Sequence, residues 1–315
     1  MLSRRVLLSG LALTAQAARA PRLGTTLVHE HILVDFIGAD QASPSRYNSD
    51  EVVRAALPKL RELKARGCQT LLECTPQYLG RDVRLLARLS KESGLRILTN
   101  TGWYGANNDK HLPKLAWTEP PEAIAARWTR EFREGIDGTK IKPAFQKIGV
   151  DAGPLSEVDR KLITAGCICH QQTKLRLHVH TGNGVAATQI LEELARRSVP
   201  ASAYVWVHAQ NETDRAVHVA AAKAGAWIEF DGIGPKRLDV HVKAVSEMIQ
   251  LGYLNQLLIS QDSGWYRVGE PGGGTYNGYV YLFDAFLPAL RQQGVTERQI
   301  RTLLVDNPAR VLSSV

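Results

Sequence analysis

His29 and His31, at the end of the apolar run Thr25-Thr26-Leu27-Val28, are the first residues of this chain whose types and spacing could do chemistry. If the run is a strand, side chains at i and i+2 leave the same face, so both imidazoles aim at one point while Glu30 faces away. Two neutral imidazoles held that way form half of a zinc-type site. A bare H-x-H also arises by chance, so the remaining donors must come from other elements that reach the same point.

Short β-like runs recur at 25–28, 70–73, 96–100, 145–149, 175–180, 204–208, 227–230 and 257–260. Helix-like segments lie between and after them at 49–66, 81–93, 120–135, 157–172, 186–197, 212–224, 238–251 and 279–293. Eight strands each followed by a helix predict an α/β fold, a single-domain (β/α)8 TIM barrel, whose active site collects at the C-terminal ends of the strands. A doubly wound sheet would alternate too, but no G-x-G-x-x-G follows an early strand. No internal repeat, low-complexity tract or linker divides residues 21–315.

On that frame His29 and His31 end strand one, Lys147 lies within strand four, His180 ends strand five, His208 ends strand six and Asp262 follows strand eight. Metal-competent groups from five strands thus meet at one mouth. An ammonium cannot bind a cation, but a lysine beside two metals can lose its proton and take up carbon dioxide, giving a carbamate that bridges both ions. On residue chemistry alone Lys140 and Lys142 compete with Lys147, and an ordinary charged rim lysine is the simpler reading. His178 shares the inward face with His180.

Composition bounds the partners. The 315 residues are 44% hydrophobic, enough for a large core, and no apolar run reaches membrane-spanning length. The net charge is +8, yet Lys and Arg are scattered among acids with no basic, aromatic-interleaved stripe, so neither nucleic acid nor membrane is expected as a partner. Residues 1–20 read as an export signal: Arg4-Arg5 precede an apolar stretch, then come Ala15-Gln16-Ala17 and Ala18-Arg19-Ala20. A twin-arginine route fits the paired arginines, and the mature protein would be periplasmic or secreted. Cys68, Cys74, Cys167 and Cys169 read as buried free thiols, the last two about 200° apart around a helix.

Gly24-Thr-Thr-Leu-Val-His29-Glu-His31, Val205-Trp-Val-His208, Leu258-Ile-Ser-Gln-Asp262 and Asp306-Asn-Pro-Ala-Arg-Val-Leu-Ser313 resemble the phosphotriesterase family of the amidohydrolase superfamily. The likeness runs from Leu23 to Ser313, and around Lys147 it needs no gap from Glu134 onward. It implies that carbamylated Lys147, rather than Lys142, bridges two divalent ions, zinc by default with cobalt, manganese or iron as alternatives. It also implies that His29, His31 and Asp262 hold the more buried ion, and His180 and His208 the more exposed one. A metal-bridging hydroxide would then attack carboxylic esters or lactones, with organophosphate triesters as a further class. Asp262 would take the proton, or serve as a ligand only. A cyclic amidohydrolase and a non-catalytic metal-binding protein stay open as alternatives, as does a homodimer.

Substrate contacts are assigned to aromatics at the mouth: Trp103 and Tyr104 after strand three, and Trp265 and Tyr266 after strand eight. Gly272-Gly273-Gly274 would let the last loop act as a lid. Lactonase members of the family carry an arginine where this chain has Gly232, just past Asp231.

Overall fold

Each apolar run becomes a short parallel strand in the computed structural model, which describes residues 23–313. The export signal read at residues 1–20 lies outside them. The strands are β1 (Thr26–Glu30), β2 (Thr70–Glu73), β3 (Arg96–Leu98, resuming at Asn100–Thr101), β4 (Phe145–Val150), β5 (Leu177–Thr181), β6 (Tyr204–Val207), β7 (Trp227–Phe230) and β8 (Leu257–Ile259). Between them run α1 (Ser49–Ala65), α2 (Val83–Ser93), α3 (Pro121–Glu134), α4 (Glu157–Thr173), α5 (Gly184–Arg196), α6 (Arg215–Ala224) and α7 (Leu238–Gln250). The helix expected at 279–293 forms as a π-helical turn Leu282–Phe286 that leads into Leu287–Gln292.

The local signals are legible. In α2, Val83, Leu85, Leu86 and Leu89 form the buried face; Asp82 caps the start by accepting from the Arg84 and Leu85 amides, and left-handed Gly94 ends it. Among the described residues no helix is long and apolar enough to cross a membrane.

The strands pair in chain order. Strand β3 divides its work: Arg96–Leu98 pairs with β2, and Asn100–Thr101 pairs with β4. The ring closes between β8 and β1, where the Asp262 amide donates to the His29 carbonyl (3.1 Å) and the His31 amide to the Ser263 carbonyl (2.8 Å). The fold is a (β/α)8 barrel.

Strand β1 departs from simple alternation. Val28 packs with Leu72, Val205, Val207 and Leu258 in one apolar cluster, yet the next residue, His29, meets Glu229 and Asp231 across the barrel. Consecutive residues can share a face only if the ladder slips. It does: Leu27 faces Leu71 but Glu30 faces Glu73, so β1 carries one extra residue, a bulge that re-aims both histidines.

Glu30 makes the closure firm. Its carboxylate is buried and accepts from Ser260 Oγ (2.8 Å), the Gln261 amide (3.0 Å) and the Ser263 amide (2.8 Å). At the other end of the barrel Asn307 donates to the carbonyls of Leu254 (2.8 Å) and Leu257 (2.6 Å), fixing the start of β8, while Val311 joins the apolar cluster of Val28 and Leu258.

Replacing Glu30 by alanine strands three donors at the β1–β8 seam, each worth about 1–3 kcal/mol when orphaned. Glu30→Ala is therefore expected to lose at least about 3 kcal/mol in urea unfolding. A loss under about 1 kcal/mol would show that the seam is held elsewhere.

Candidate metal centre

All but one of the donors picked from the sequence lie at or just past the C-terminal end of a strand, and Lys147 reaches up from within one. His29 ends the bulged segment of β1 and His31 follows it, Lys147 lies inside β4, His180 inside β5, and His208 and Asp262 come just after β6 and β8. His208 and Asp262 sit in the left-handed region, at φ 61° and 51°, a costly conformation for residues other than glycine. Each is pinned through its own amide: His208 N–H donates to Asp231 Oδ2 (3.1 Å), and Asp262 N–H to the His29 carbonyl.

The six side chains meet. Lys147 Nζ is 3.0 Å from His29 Nε2, and His31 Nε2 is 3.2 Å from Asp262 Oδ1. The ring of His208 lies 5.0 Å from that of His29 and 4.4 Å from that of His180. His29, His208 and Asp262 offer ligand atoms within 4.8 Å of one another.

An outer layer aims the imidazoles. His29 Nδ1 faces Glu229 Oε1 (2.7 Å) and Asp231 Oδ2 (3.2 Å), His208 Nδ1 faces Asp231 Oδ1, and His31 Nδ1 faces Thr75 Oγ1 (2.7 Å), whose hydroxyl donates to Glu73 Oε1 (2.6 Å). A proton on each Nδ1 satisfies these contacts and turns each Nε2 lone pair inward, the tautomer a metal ligand needs. His180 is held instead by Tyr104, with Oη 3.1 Å from Nδ1.

Electrostatics agree with that assignment. Burial, helped by Lys147, pushes the His29 imidazole down to about 3, so it is neutral at ordinary pH. Burial also lowers His31, and it takes His180 well below its usual value. Burial and neighbouring Asp231 push Glu229 well above the carboxylate range. Asp231 is held well below it, because His208 and His29 outweigh the burial that would raise it. Burial would likewise raise Asp262, but the neighbouring imidazoles of His31, His29 and His208 hold it low.

Of the aromatics assigned to the mouth, two face the site. Tyr104 touches His180, and Trp265 lies tilted against His31 with centroids 4.2 Å apart while its indole N–H donates to the Asp262 carbonyl (2.7 Å). The other two assignments need correction. Trp103 is buried against Trp128 and Tyr78, its N–H spent on Gln77 Oε1 (3.1 Å); Tyr266 packs under the loop with its hydroxyl on Glu51 Oε2 (3.3 Å). Both rings fill core space beside the strands instead of lining the mouth. Phe36, nearly parallel to Trp265 at 5.9 Å, carries the aromatic wall outward. His178 is buried with neither ring nitrogen hydrogen-bonded, 4.0 Å from Glu229, and it stays outside the cluster. His111, His170, His218 and His241 are buried, and the four cysteines are buried free thiols.

Sequence reasoning passed over the outer layer. Glu229 and Asp231 alternate with Ile228 and Phe230, and carboxylates at every second place of an otherwise apolar barrel strand are the signal that could have revealed them.

Residues 12–312 match the phosphotriesterase family profile. The chain belongs to the phosphotriesterase family. It is similar to an aryldialkylphosphatase of Saccharolobus solfataricus, at 27% identity over 92% of this chain and 95% of that one. It is similar also to a phospho-furanose lactonase of Mycoplasmopsis synoviae, at 26% identity over 93% of this chain and 88% of the relative. Among solved structures of the phosphotriesterase family fold, an organophosphorus hydrolase from Deinococcus radiodurans superposes with a TM-score of 0.82 at 26% identity, covering 92% of each chain.

Asp231 orients two imidazoles at once. Asp231→Asn is expected to weaken metal affinity about 10–100-fold, read by competition with a chromophoric chelator; unchanged affinity would remove it from the outer layer. Because the folded value of His29 lies below its unfolded value of 6.5, the stability it contributes is present above pH 6.5 and fades as pH falls toward 3. The metal-free protein should therefore lose more stability than its His29→Asn variant between pH 6.5 and 4, in urea midpoints measured at each pH. Parallel curves would contradict the assignment.

Proposed function

We propose that this protein is a binuclear metal-dependent hydrolase that cleaves carboxylic esters or lactones, with organophosphate triesters as a further class. One observation carries the reading: four imidazoles, Lys147 and Asp262 converge at the barrel mouth, and Asp262 Oδ1 is buried there without a hydrogen bond. A buried carboxylate oxygen without a partner is costly, and a cation is the partner this donor set calls for. Neutral imidazoles with carboxylate oxygen suit zinc, and cobalt, manganese or iron take the same ligands.

His29, His31 and Asp262 would hold one ion and His180 and His208 the other, with carbamylated Lys147 between them. Two divalent ions, when bound, polarise a C=O or P=O group and make a nearby water acidic. Lys147 contributes by reacting as the free amine with carbon dioxide: an N–C bond forms, one proton leaves to solvent, and His29 Nε2 is released from the lysine. Asp262 accepts the proton lost from the attacking water and passes it to solvent through its exposed edge. Glu229, Asp231 and Thr75 hold the imidazole tautomers fixed. Tyr104 and Trp265 flank the substrate.

The relatives' names, an aryldialkylphosphatase and a phospho-furanose lactonase, support the ester classes chosen. Arg4-Arg5 and the apolar stretch after them support export to the periplasm or beyond, with cleavage after Ala17 or Ala18.

The metal-loaded protein should hydrolyse at least one of a lactone, an aryl ester and a phosphotriester. Activity should vanish on chelation and return with zinc or cobalt. Lys147→Ala should lower kcat/KM by about 100-fold or more and reduce bound metal below two ions per chain. Full activity with both ions retained would overturn the mechanism.

A further inference from the structure

His178 lies in the barrel interior, yet the metal centre makes no direct use of it. It stands within β5 two residues before His180, beside Lys147 of β4 and Val205 of β6 in the strand ladders, and it is fully buried. Its ring packs on Phe145, with centroids 4.6 Å apart. Neither ring nitrogen has a hydrogen-bond partner.

Packing alone does not call for an imidazole here. A phenyl ring would meet Phe145 as well and bury no polar atom, whereas bare ring nitrogens in a core are costly. One polar atom faces them: Glu229 Oε2 is also buried without a partner, 4.0 Å from His178 Nδ1. The two are complementary. An imidazole always carries at least one N–H, which a carboxyl oxygen accepts, and a protonated carboxyl donates in return to a bare ring nitrogen. A swing of about 1 Å, or one water between them, joins the pair.

Glu229 needs such a second hold. Its other oxygen, Oε1, takes the Nδ1–H of His29 at 2.7 Å, the shorter of the two contacts that aim that ring. Asp231 supplies the longer one, at 3.2 Å, and its carboxylate is already shared by the His208 amide, the His208 ring and the side-chain amide of Gln210. The aim of His29 therefore falls mainly on Glu229. A carboxyl fixed through one oxygen still turns about its terminal bond, because that torsion is broad. Fixed through both oxygens, it does not.

We propose that His178 is a positioning residue of the metal centre: it pairs with Glu229 Oε2, locks the plane of that carboxyl, and so keeps Oε1 on His29 and the His29 Nε2 lone pair aimed inward. The assignment rests on the metal-dependent hydrolase reading above and adds a third layer to its centre. His178 itself touches neither ion nor substrate.

The test is a double-mutant cycle on the full chain with His178→Phe and Glu229→Leu, the latter replaced by Glu229→Ala if it fails to fold. Cobalt affinity is read by competition with a chromophoric chelator, and urea midpoints are read without metal. His178→Phe should weaken one of the two cobalt ions about tenfold, and the Glu229 variant should do so by about 10–100-fold. The double variant should bind no more weakly than the Glu229 variant alone, because a residue that acts through Glu229 then has nothing to act on. His178→Gln, which keeps a side-chain amide toward Oε2, should recover most of the loss. Full affinity in His178→Phe, additive losses in the double variant, or an equal loss in His178→Gln overturns the assignment. If the wild-type chain binds no cobalt, the metal-dependent reading fails and the urea midpoints alone judge the pair. Non-additive shifts then support it, and additive shifts overturn it.

Discussion

The seam between the first and last strands is the constraint on which the rest of this structure depends. Seven strand pairs follow from neighbours in the chain, but β8 must return to β1 across more than two hundred residues, and Glu30 is the residue that fastens it. Its carboxylate takes the amides on either side of Asp262 and the hydroxyl of Ser260. Burial raises it to about 8, so it sits where only well-aimed donors make a carboxyl tolerable. Because Glu30 stands between His29 and His31, the contact that closes the barrel also sets the distance from those imidazoles to Asp262. Fold and site share one fastening.

Two local distortions then convert a regular barrel into a reactive one. The extra residue in β1 turns both histidines inward beside Val28, and left-handed backbone at His208 and Asp262 lifts those side chains from strand ends toward the centre. Such strain persists only where the surroundings over-determine it. Here they do, since the amides of both residues are bonded to other members of the same cluster. Close approach of neighbouring strands is part of this design: Gly102 sits at φ +127°, and a Cβ there would fall 2.1 Å from the Lys147 carbonyl, so only glycine lets β3 pass β4 at the lysine.

The outer carboxylates explain how a crowded polar centre survives in a barrel interior. Glu229 and Asp231 lie together in the dark of the core, and their environments drive them apart: one is pushed toward the neutral acid while the other stays ionised against two imidazoles. Buried charge is thus limited to what the histidines can answer. At the mouth, the rings of Trp265 and Phe36 continue outward from His31 as an aromatic wall.

Periodicity alone determined much of this protein. Apolar runs four to six residues long, separated by amphipathic segments, dictate the alternation of strand and helix, and donors placed at strand ends dictate where chemistry could gather. Those are local properties, carried by residue type and spacing. Only the tertiary structure decided which face β1 shows, because a bulge depends on the register of the partner strand. The same holds for Trp103 and Tyr266, whose rings lie near the mouth in sequence but turn into the core, where Trp128 and α1 offer apolar surface. It holds too for Glu229, Asp231 and Thr75: their partners lie 23 to 200 residues away, and hydrogen bonds over that distance exist only once the barrel has closed.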